Sequence, residues 1–489
     1  MALSYRRPLR AIFDVADHQA FLRSATCDDL LRFLAARNAA CADRALPRAA
    51  GGSGAAAGGG GGGDALEPAH PCVAALEEAL AELGALVDAV PPVQQPMRYG
   101  NRAFRTWHAR LVRASVGLAR RVIDAGAPRA EAAAADAAAA AAAAPGSAAA
   151  PVAAPAPSPA SSSVQSAPGP ASSSAPAAAF APARFAEGAE VELAAYLVDA
   201  FGNATRLDYG TGHETSFLIL LFCLCRLGLC GEAELPQLAL RAFPAYLRVA
   251  RRLQRTYWLE PAGSHGVWSL DDYSFLPFLL GSAQLLNHRA VRPRAVLSRE
   301  ALEASGADFL YLQAVQAILA VKSGAPFAEH SPMLSDLAEL PSWAKVNEQL
   351  ARLYRSEVLG KLPVAQHFVF GALFAADWEA SRERVPSDAC AHLYALLDGA
   401  DPEAVRSPVG ADEVPVDHPD RAVAPWATAP VCTHAHHPHP AQPAHAHAHA
   451  HAHAHTHAAG AGEGGGGAAP ARARAPPPME TDVAPWARK

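Results

Sequence analysis

The polar stretch of residues 203–217, NATRLDYGTGHETSF, concentrates the residue types that could do chemistry in this chain. A nucleotide site needs cations, backbone N–H groups, and glycine where the backbone must approach a phosphate. Arg206, Thr211 and Gly212 meet that demand. The stretch lacks the GxxxxGK[ST] spacing of a P-loop, and a glycine-rich turn before a helix is also typical of a simple helix cap. From these residues alone, both interpretations stay open.

Two adjacent residues in this stretch, His213 and Glu214, resemble an acid/base pair. General acid–base catalysis depends on geometry, and the sequence shows no third partner at a known distance. We therefore assign the pair no catalytic role.

A second polar turn, GVWSLDDYSFLPF, begins at Gly266. A hard cation such as Mg²⁺ takes carboxylate and carbonyl oxygens. The Asp272 side chain and the Gly266 carbonyl are therefore predicted magnesium ligands. One of the two adjacent acids can instead cap the helix that follows, and Asp271 is the better candidate for that structural role.

Helices must position these turns, because almost no segment alternates with a period of two. The apolar run of residues 217–225 is about half the length that a membrane-spanning helix needs. The periodicity predicts an all-α fold, with helices over residues 190–201, 214–229, 235–257, 274–286, 307–322 and 342–359.

Composition divides the chain into folded and low-complexity parts. N-terminal amphipathic helices are predicted within residues 1–42, and a Gly/Ala linker over 43–70. A helical domain is predicted over 71–390, interrupted by a disordered Ala/Pro/Ser insertion at about 125–183. Residues 391–489 are predicted to form a disordered, His-rich tail. Its His-Ala repeats could bind Zn²⁺ loosely, although a low-complexity expansion without ligand geometry is the favoured interpretation.

Charge and targeting signals narrow the class of protein. The formal net charge of −6 predicts no nucleic-acid partner. The eight cysteines contain no CxxC pair, so neither a zinc site nor a disulfide framework is indicated. The N-terminus lacks a long apolar run, and no membrane anchor is expected. These features predict a location in the cytoplasm, with the nucleus as a further compartment.

Six blocks, in the same order along the chain, give the sequence its resemblance to a known family. They are YGNRAFRTWHARL from Tyr99, LDYGTGHETSFLILLFCLCRLG from Leu207, EPAGSHGVWSLDDYSFLPFLLGSAQL from Glu260, PFAEHSPML from Pro326, PSWAKVNEQLARLYRSEVL from Pro341, and PVAQHFVFG from Pro363. The chain resembles the protein phosphatase 2A activator family, also called phosphotyrosyl phosphatase activators. The Ala/Pro/Ser insertion, the Gly-rich linker and the His-rich tail have no counterpart in the family pattern, but they interrupt none of the blocks.

The resemblance implies a fold and an activity. It implies an all-helical protein of core, lid and linker subdomains around a cleft. It implies an activator that binds the catalytic subunit of protein phosphatase 2A and promotes its Ser/Thr phosphatase form, with ATP and Mg²⁺ in a site shared by the two proteins. It also implies peptidyl-prolyl cis-trans isomerase activity on a proline-containing peptide segment, and leaves open whether the chain dimerises around that peptide.

The resemblance also implies site residues. The positions expected to contact the nucleotide are Arg206, Thr211, Gly212, Pro363, Val364, Gln366 and His367. Gly266 and Asp272 match the family's magnesium positions. His367 could equally be a hydrogen-bonded histidine at a packed helix end.

Prolyl isomerisation needs no nucleophile, because the barrier falls when the amide is twisted in a desolvated groove. The predicted groove residues are Trp268, Asp272, Tyr273, Phe275, Glu329 and His330. Aromatic residues at such positions are also common in cores. Two alternatives remain: a non-enzymatic helical scaffold or chaperone for the phosphatase, and a freestanding ATPase or kinase-like protein. The missing Walker and kinase signatures argue against the ATPase.

Overall fold

Helices form nearly all of the regular structure in this protein, which is described by a computed structural model. The structure describes residues 5–47, 68–95, 99–143, 188–263, 269–322 and 324–401, and the side chains of the 103–143 helix as far as residue 127. The all-α prediction is confirmed. The division into core, lid and linker subdomains stays a prediction.

The N-terminal half contributes eight α-helices within the described residues. They are α1 Val15–Leu22, α2 Ala25–Ala40, α3 Pro71–Asp88, α4 Ala103–Ala143, α5 Ala189–Asp199, α6 Thr211–Arg226, α7 Leu235–Gln237 and α8 Phe243–Tyr257. A π-helical segment, π1 (Leu238–Ala242), joins α7 to α8, and a 3₁₀ turn covers Glu232–Glu234. The helix predicted over 235–257 is thus continuous, but residues 238–242 within it are π-helical.

The C-terminal half adds shorter helices. They are α9 Leu276–Gln284, α10 Arg299–Ser305, α11 Leu310–Val321, α12 Phe327–His330, α13 Pro332–Ala338, α14 Trp343–Leu353, α15 Leu362–Ala365 and α16 Asp388–Leu397. A second π-helical segment, π2 (Tyr354–Leu359), continues α14, and a 3₁₀ turn covers Pro293–Leu297.

The described residues form four strands, each two residues long. β1 (Leu9–Arg10) pairs antiparallel with β4 (Val369–Phe370). β2 (Asp208–Tyr209) pairs in parallel with β3 (Glu260–Pro261). Both pairs join segments that are distant along the chain, so their hydrogen bonds connect the loops between different helices.

Helix α6 lies at the centre of the core. Its residues 214–225 are all buried, and from Phe217 to Cys225 the run is apolar on every face. The described cysteines, including Cys223 and Cys225, are buried free thiols. Among the described residues, no helix combines the length and apolar character needed to cross a membrane.

Three described segments lie at or across the predicted domain boundaries, which stay predictions. The N-terminal helices do not stand apart, since Phe21, Phe33 and Leu34 are buried in the same core as α6. Helix α4 continues to Ala143, past the predicted start of the insertion at 125, because alanine has the highest helix propensity. Helix α16 crosses the predicted tail boundary at 391, since Ser387 caps it and its apolar face is buried.

Parts of the predicted low-complexity segments lie outside the described residues. These parts are 48–67 of the linker, 144–187 around the insertion, and 402–489 of the tail.

Candidate functional site

The parallel pairing of β2 with β3 brings the two predicted polar turns together. Asp208 is in register with Glu260, and Tyr209 with Pro261. Because the two strands are parallel, the segments that follow them leave the pair at the same end. The start of α6 therefore lies beside the turn that leads to Asp272. Gly210 permits the approach: a Cβ at this position would lie 2.6 Å from the Ala262 carbonyl oxygen. Glycine is required here by close backbone contact.

The third predicted segment meets the start of α6 from another side. A Cβ added to Gly212 would lie 3.4 Å from Cγ1 of Val364, which places α15 against the first turn of α6. One turn further along, the hydroxyl groups of Thr215 and Tyr354 are 2.9 Å apart. Helix α6 is thus joined to π2 as well as to α15, so three segments from separate parts of the sequence converge.

A cavity of about 250 Å³ lies at this convergence. Its walls come from the α6 start, the turn after β3, α13, π2 and α15. The lining residues are Thr211, Ala262, Gly263, Ser269, Leu270, Asp271, Asp272, Ser274, Phe275, Met333, Glu357, Val358, Lys361, Pro363 and Val364. The predicted cleft is therefore present, and it holds Thr211, Asp272, Pro363 and Val364 from the predicted site.

Arg206 does not line this cavity but is held beside it by a chain of polar contacts. Its Nε donates to Oδ2 of Asp208 at 2.7 Å. On the far side of Asp208, the Nε2 of His213 lies 3.9 Å from Oδ1, while Nδ1 of His213 is 2.6 Å from the Asp199 carbonyl oxygen. Burial acts to raise the pKa of Asp208, but His213 and Arg206 outweigh it and hold that pKa below its ordinary value. Asp208 is therefore an ionised anchor for Arg206.

The backbone at Arg206 is also constrained. The neighbouring Leu207 has a φ of +58°, which non-glycine residues seldom adopt. The Leu207 side chain packs against Gly100, where a Cβ would come within 2.8 Å of the Leu207 Cβ. The side-chain oxygen of Asn203 accepts from the amides of Thr205 and Arg206 at 2.9 and 2.8 Å. These contacts hold the turn in its left-handed conformation, as is common where a functional side chain must be aimed.

Gln366 and His367 follow α15 and lie on the Arg206 side of the site. The Gln366 carbonyl accepts from Nε of Arg10 at 2.8 Å. Burial, followed by the positive charge of Arg206, lowers the pKa of His367 to about 4. His367 is consequently neutral at physiological pH, and a neutral imidazole offers one hydrogen-bond donor and one acceptor.

Glu214 has a structural role that the sequence did not reveal. Its Oε2 accepts from the backbone amides of Phe275 and Leu276 at 2.8 and 2.9 Å, although the two segments are more than sixty residues apart. Glu214 therefore caps α9 from α6, and Phe275 supplies no cap of its own. Burial raises the pKa of this carboxyl group to about 8. Glu214 and His213 bind different partners and do not form an acid/base pair.

The two adjacent acids have different partners, and the predicted cap of the following helix by Asp271 is wrong, since Glu214 caps α9. Oδ2 of Asp271 accepts from the amides of Ser274 and Tyr273 at 3.0 and 3.3 Å and so shapes the turn before α9. Burial, and then the charge of Asp272, raise the pKa of Asp271. Asp272 instead forms an ion pair with Lys322, whose Nζ is 2.8 Å from Oδ2. The predicted metal ligand thus already faces a cation of this chain.

The aromatic groove residues are tied into the fold. The Tyr273 hydroxyl donates to the Leu259 carbonyl at 2.7 Å. Phe275 is only 3% exposed and packs edge-on against Tyr354, with ring centroids 5.5 Å apart. The interpretation as core residues therefore accounts for both contacts, although Phe275 also lines the cavity.

The other predicted groove residues lie partly on α12 and partly outside the described residues. Glu329 is exposed and His330 half-buried on α12, and His330 Nδ1 lies 2.9 Å from the Ser331 hydroxyl. Gly266 and Trp268 lie outside the described residues.

Three charged residues at the site were not predicted from the sequence. Lys361 and Glu357 line the cavity and form an ion pair of 3.2 Å, and Lys322 pairs with Asp272. Glu357 lies within one of the six blocks, and the two lysines lie just outside others. Lys361 could have been found from the sequence, because it lies two positions before the predicted site residue Pro363. Nothing in the sequence pairs Lys322 with Asp272.

The fold and the cavity define an all-helical protein with a polar cleft built from three separate turns. A family model described as phosphotyrosyl phosphate activator (PTPA) protein matches residues 8–147 and 164–376. The match covers well over half of the sequence, and the chain belongs to this family.

Individual relatives agree with this assignment. The serine/threonine-protein phosphatase 2A activator 2 of Gibberella zeae is 48% identical over 202 residues, which are 41% of this chain and 47% of that protein. The protein of the same name from Neurospora crassa is 48% identical over 198 residues, or 40% and 44% of the two chains. This chain thus spans about half the length of these curated relatives.

A solved structure shows the same fold. The crystal structure of the PP2A phosphatase activator Ypa1 PTPA1 superposes with a TM-score of 0.55 and 28% sequence identity. The superposition covers 76% of this chain and 96% of that one. The likeness therefore extends over nearly the whole of the solved protein.

Proposed function

We propose that this protein activates protein phosphatase 2A by binding its catalytic subunit and promoting the active Ser/Thr phosphatase form with ATP and Mg²⁺. The observation that carries the proposal is the convergence of three turns on one cavity, namely the α6 start, the Asp271–Asp272 turn and α15. These turns belong to blocks that are separate in sequence, and all lie within the family match. The names of the matched relatives, which are phosphatase 2A activators, support the choice of partner.

The first turn of α6 suits a phosphate group. The positive end of a helix dipole favours an anion, and backbone N–H groups at a helix start can bind one. Gly210 precedes the helix and provides no side-chain cap that would compete for them. Two cations are available near the site, Lys361 in the cavity wall and Arg206 beside it, with 39% of each side chain exposed. We expect the nucleotide phosphates to lie here, with Gln366 and the neutral His367 as hydrogen-bonding neighbours.

The oxygen donors nearby suit Mg²⁺ rather than a transition metal. Within the described part of the chain, no three His, Cys, Asp or Glu side chains come together as a metal-binding group. Mg²⁺ typically binds one or two carboxylates and completes its shell with water and nucleotide phosphates. Asp272, with Asp271 behind it, could provide that limited set. When bound, the ion would neutralise phosphate charge, and the chain's own contribution is to hold Asp272 beside the α6 start.

The same protein is proposed to be a peptidyl-prolyl cis-trans isomerase. Rotation about a prolyl bond is faster where the amide is removed from water, since its polar planar form is then less stabilised. The cavity supplies apolar surface from Phe275, Met333 and Val358 beside the polar turn. A proline-containing segment of the phosphatase is the proposed substrate.

A non-enzymatic scaffold or chaperone is the second candidate. The observation that favours it is the engagement of Tyr273 and Phe275 in the fold, which leaves fewer side chains to act on a peptide. A scaffold would still bind the phosphatase but would not accelerate prolyl isomerisation. A peptide isomerisation assay therefore separates the two candidates.

Reactivation of an inactive phosphatase 2A catalytic subunit tests the proposal. With ATP and Mg²⁺ present, the wild-type protein is expected to restore Ser/Thr phosphatase activity. Asp272→Ala is expected to reduce this restoration while the circular-dichroism spectrum stays helical. The matched control is Asp124→Ala, which removes an exposed carboxylate on α4. Failure of the wild-type protein to restore activity would contradict the activator function, and full restoration by Asp272→Ala would exclude Asp272 from the site.

A further inference from the structure

The ammonium group of Lys322 lies where a divalent cation is proposed to bind. Its Nζ is 2.8 Å from Oδ2 of Asp272, and the two side chains are only 24% and 21% exposed. Water and salt screen such a partly buried pair less than a pair on the open surface. The Asp272 charge is thus balanced by a residue of the same chain.

Lys322 also approaches α12. It follows α11 directly, and its Nζ lies 3.5 Å from the carbonyl oxygen of His330, the last residue of α12. One ammonium group therefore connects the Asp271–Asp272 turn to the end of α12. Glu329 and His330, which were predicted to face the peptide groove, belong to that helix.

We infer that Lys322 competes with the divalent cation for Asp272, so that binding of the cation releases the Lys322 contact with α12. The inference rests on the proposed function, because it takes Asp272 as the magnesium ligand. An ion at the short distance that Mg²⁺ requires would repel an ammonium group on the same carboxylate. The cation and the Lys322 link to α12 are therefore coupled, and this coupling is reciprocal. Lys322 is a positioning residue, and cation binding decides whether its ammonium group stays in contact with the His330 carbonyl oxygen at the end of α12.

Binding of Mn²⁺, a paramagnetic substitute for Mg²⁺, gives the first test. Loss of the free-ion signal in electron paramagnetic resonance measures its affinity for the full-length protein. Lys322→Met is expected to tighten binding about fivefold, the effect of removing one partly exposed ion pair. Lys322→Arg keeps the charge and is expected to stay near the wild-type affinity. Lys345→Met is the matched control, since Lys345 pairs with Glu348 on the exposed face of α14.

The reactivity of Lys322 gives a second readout, which a purely structural role would not change. Acetylation by an N-hydroxysuccinimide ester, located by peptide mass spectrometry, reports how accessible each lysine is. Adding Mn²⁺ is expected to speed the acetylation of Lys322 several-fold and to leave that of Lys345 unchanged. Asp272→Asn is expected to show fast acetylation of Lys322 with or without the ion, because the carboxylate that holds the ammonium is gone.

The outcomes separate this inference from the proposed function. If Asp272→Asn abolishes Mn²⁺ binding but Lys322→Met changes neither the affinity nor the labelling response, the competition is refuted and the proposed magnesium ligand stands. If the wild-type protein binds no Mn²⁺, or Asp272→Asn binds it equally well, the magnesium ligand and the competition both fall. Tighter binding by Lys322→Met together with cation-dependent labelling of Lys322 supports both.

Discussion

Replacing Glu214 tests whether one buried carboxyl group holds the base of the site in place. Its Oε2 accepts from the amides of Phe275 and Leu276, and the side chain is fully buried. Glu214→Ala leaves both amides without an acceptor, and each such buried donor costs about 1–3 kcal/mol. We therefore expect the free energy of unfolding to fall by roughly 2–6 kcal/mol. Glu214→Gln keeps a carbonyl acceptor and is expected to cost less than about 1 kcal/mol at about pH 5, where the wild-type carboxyl group keeps its proton.

The pH dependence of the free energy of unfolding gives a second test of Glu214. Burial raises the pKa of Glu214 from its ordinary value of 4.5 to about 8 in the folded protein. Between these values the unfolded chain loses the proton while the folded chain keeps it. The stabilisation is thus fully present below pH 4.5 and is lost as the pH rises towards about 8. The whole effect is on the order of 5 kcal/mol, and Glu214→Gln is expected to remove it.

Urea denaturation followed by circular dichroism, at about pH 5 and about pH 9, measures both effects. Glu379→Gln, at an exposed position, is the control for loss of a carboxylate. Equal destabilisation by Glu214→Ala and Glu214→Gln would refute the capping role. A Glu214→Gln variant whose stability changes with pH as in the wild type would refute the burial argument.

Three further results are expected. Gly210→Ala should lower both stability and phosphatase activation, because the new Cβ would lie 2.6 Å from the Ala262 carbonyl oxygen. Gly117→Ala, which has open space around it, is the control. Equal unfolding midpoints of the two variants would count against the close contact. Tyr354→Phe removes the hydroxyl contact with Thr215 and should cost about 1 kcal/mol in urea denaturation, whereas an unchanged midpoint would show that water replaces it. Deleting residues 402–489 should leave activation intact, since the last described helix ends at Leu397, and a large loss in the reactivation assay would give the tail a function.

The arrangement also explains why the predicted nucleotide residues are separated in sequence. Thr211 and Val364 reach one cavity because α15 packs on α6, while Arg206 is placed beside it through Asp208. At the contact between α6 and α15, a Cβ on Gly212 would lie 3.4 Å from Cγ1 of Val364, which is an ordinary van der Waals distance. Alanine would fit at this position, whereas a longer side chain would have to displace Val364.

Helical periodicity predicted the large elements well. The predicted ranges 190–201 and 307–322 correspond to α5 and α11, because a buried stripe at helical spacing is recorded in the local sequence. Helices also cross the predicted boundaries of the insertion and the tail. Helix α4 continues into the alanine-rich segment by propensity, and α16 is stabilised by burial against the core.

The sequence by itself determined the helices, the apolar core and the polar turns that could bind a nucleotide, since each depends on residues close together in the chain. Only the tertiary structure decided what those side chains do. Glu214 became a cap for a distant helix, and Asp272 became the partner of Lys322. Such contacts are set by the packing of α6, α9 and α11, and a carboxylate's neighbours in space decide its charge and its role. No local pattern carries that information.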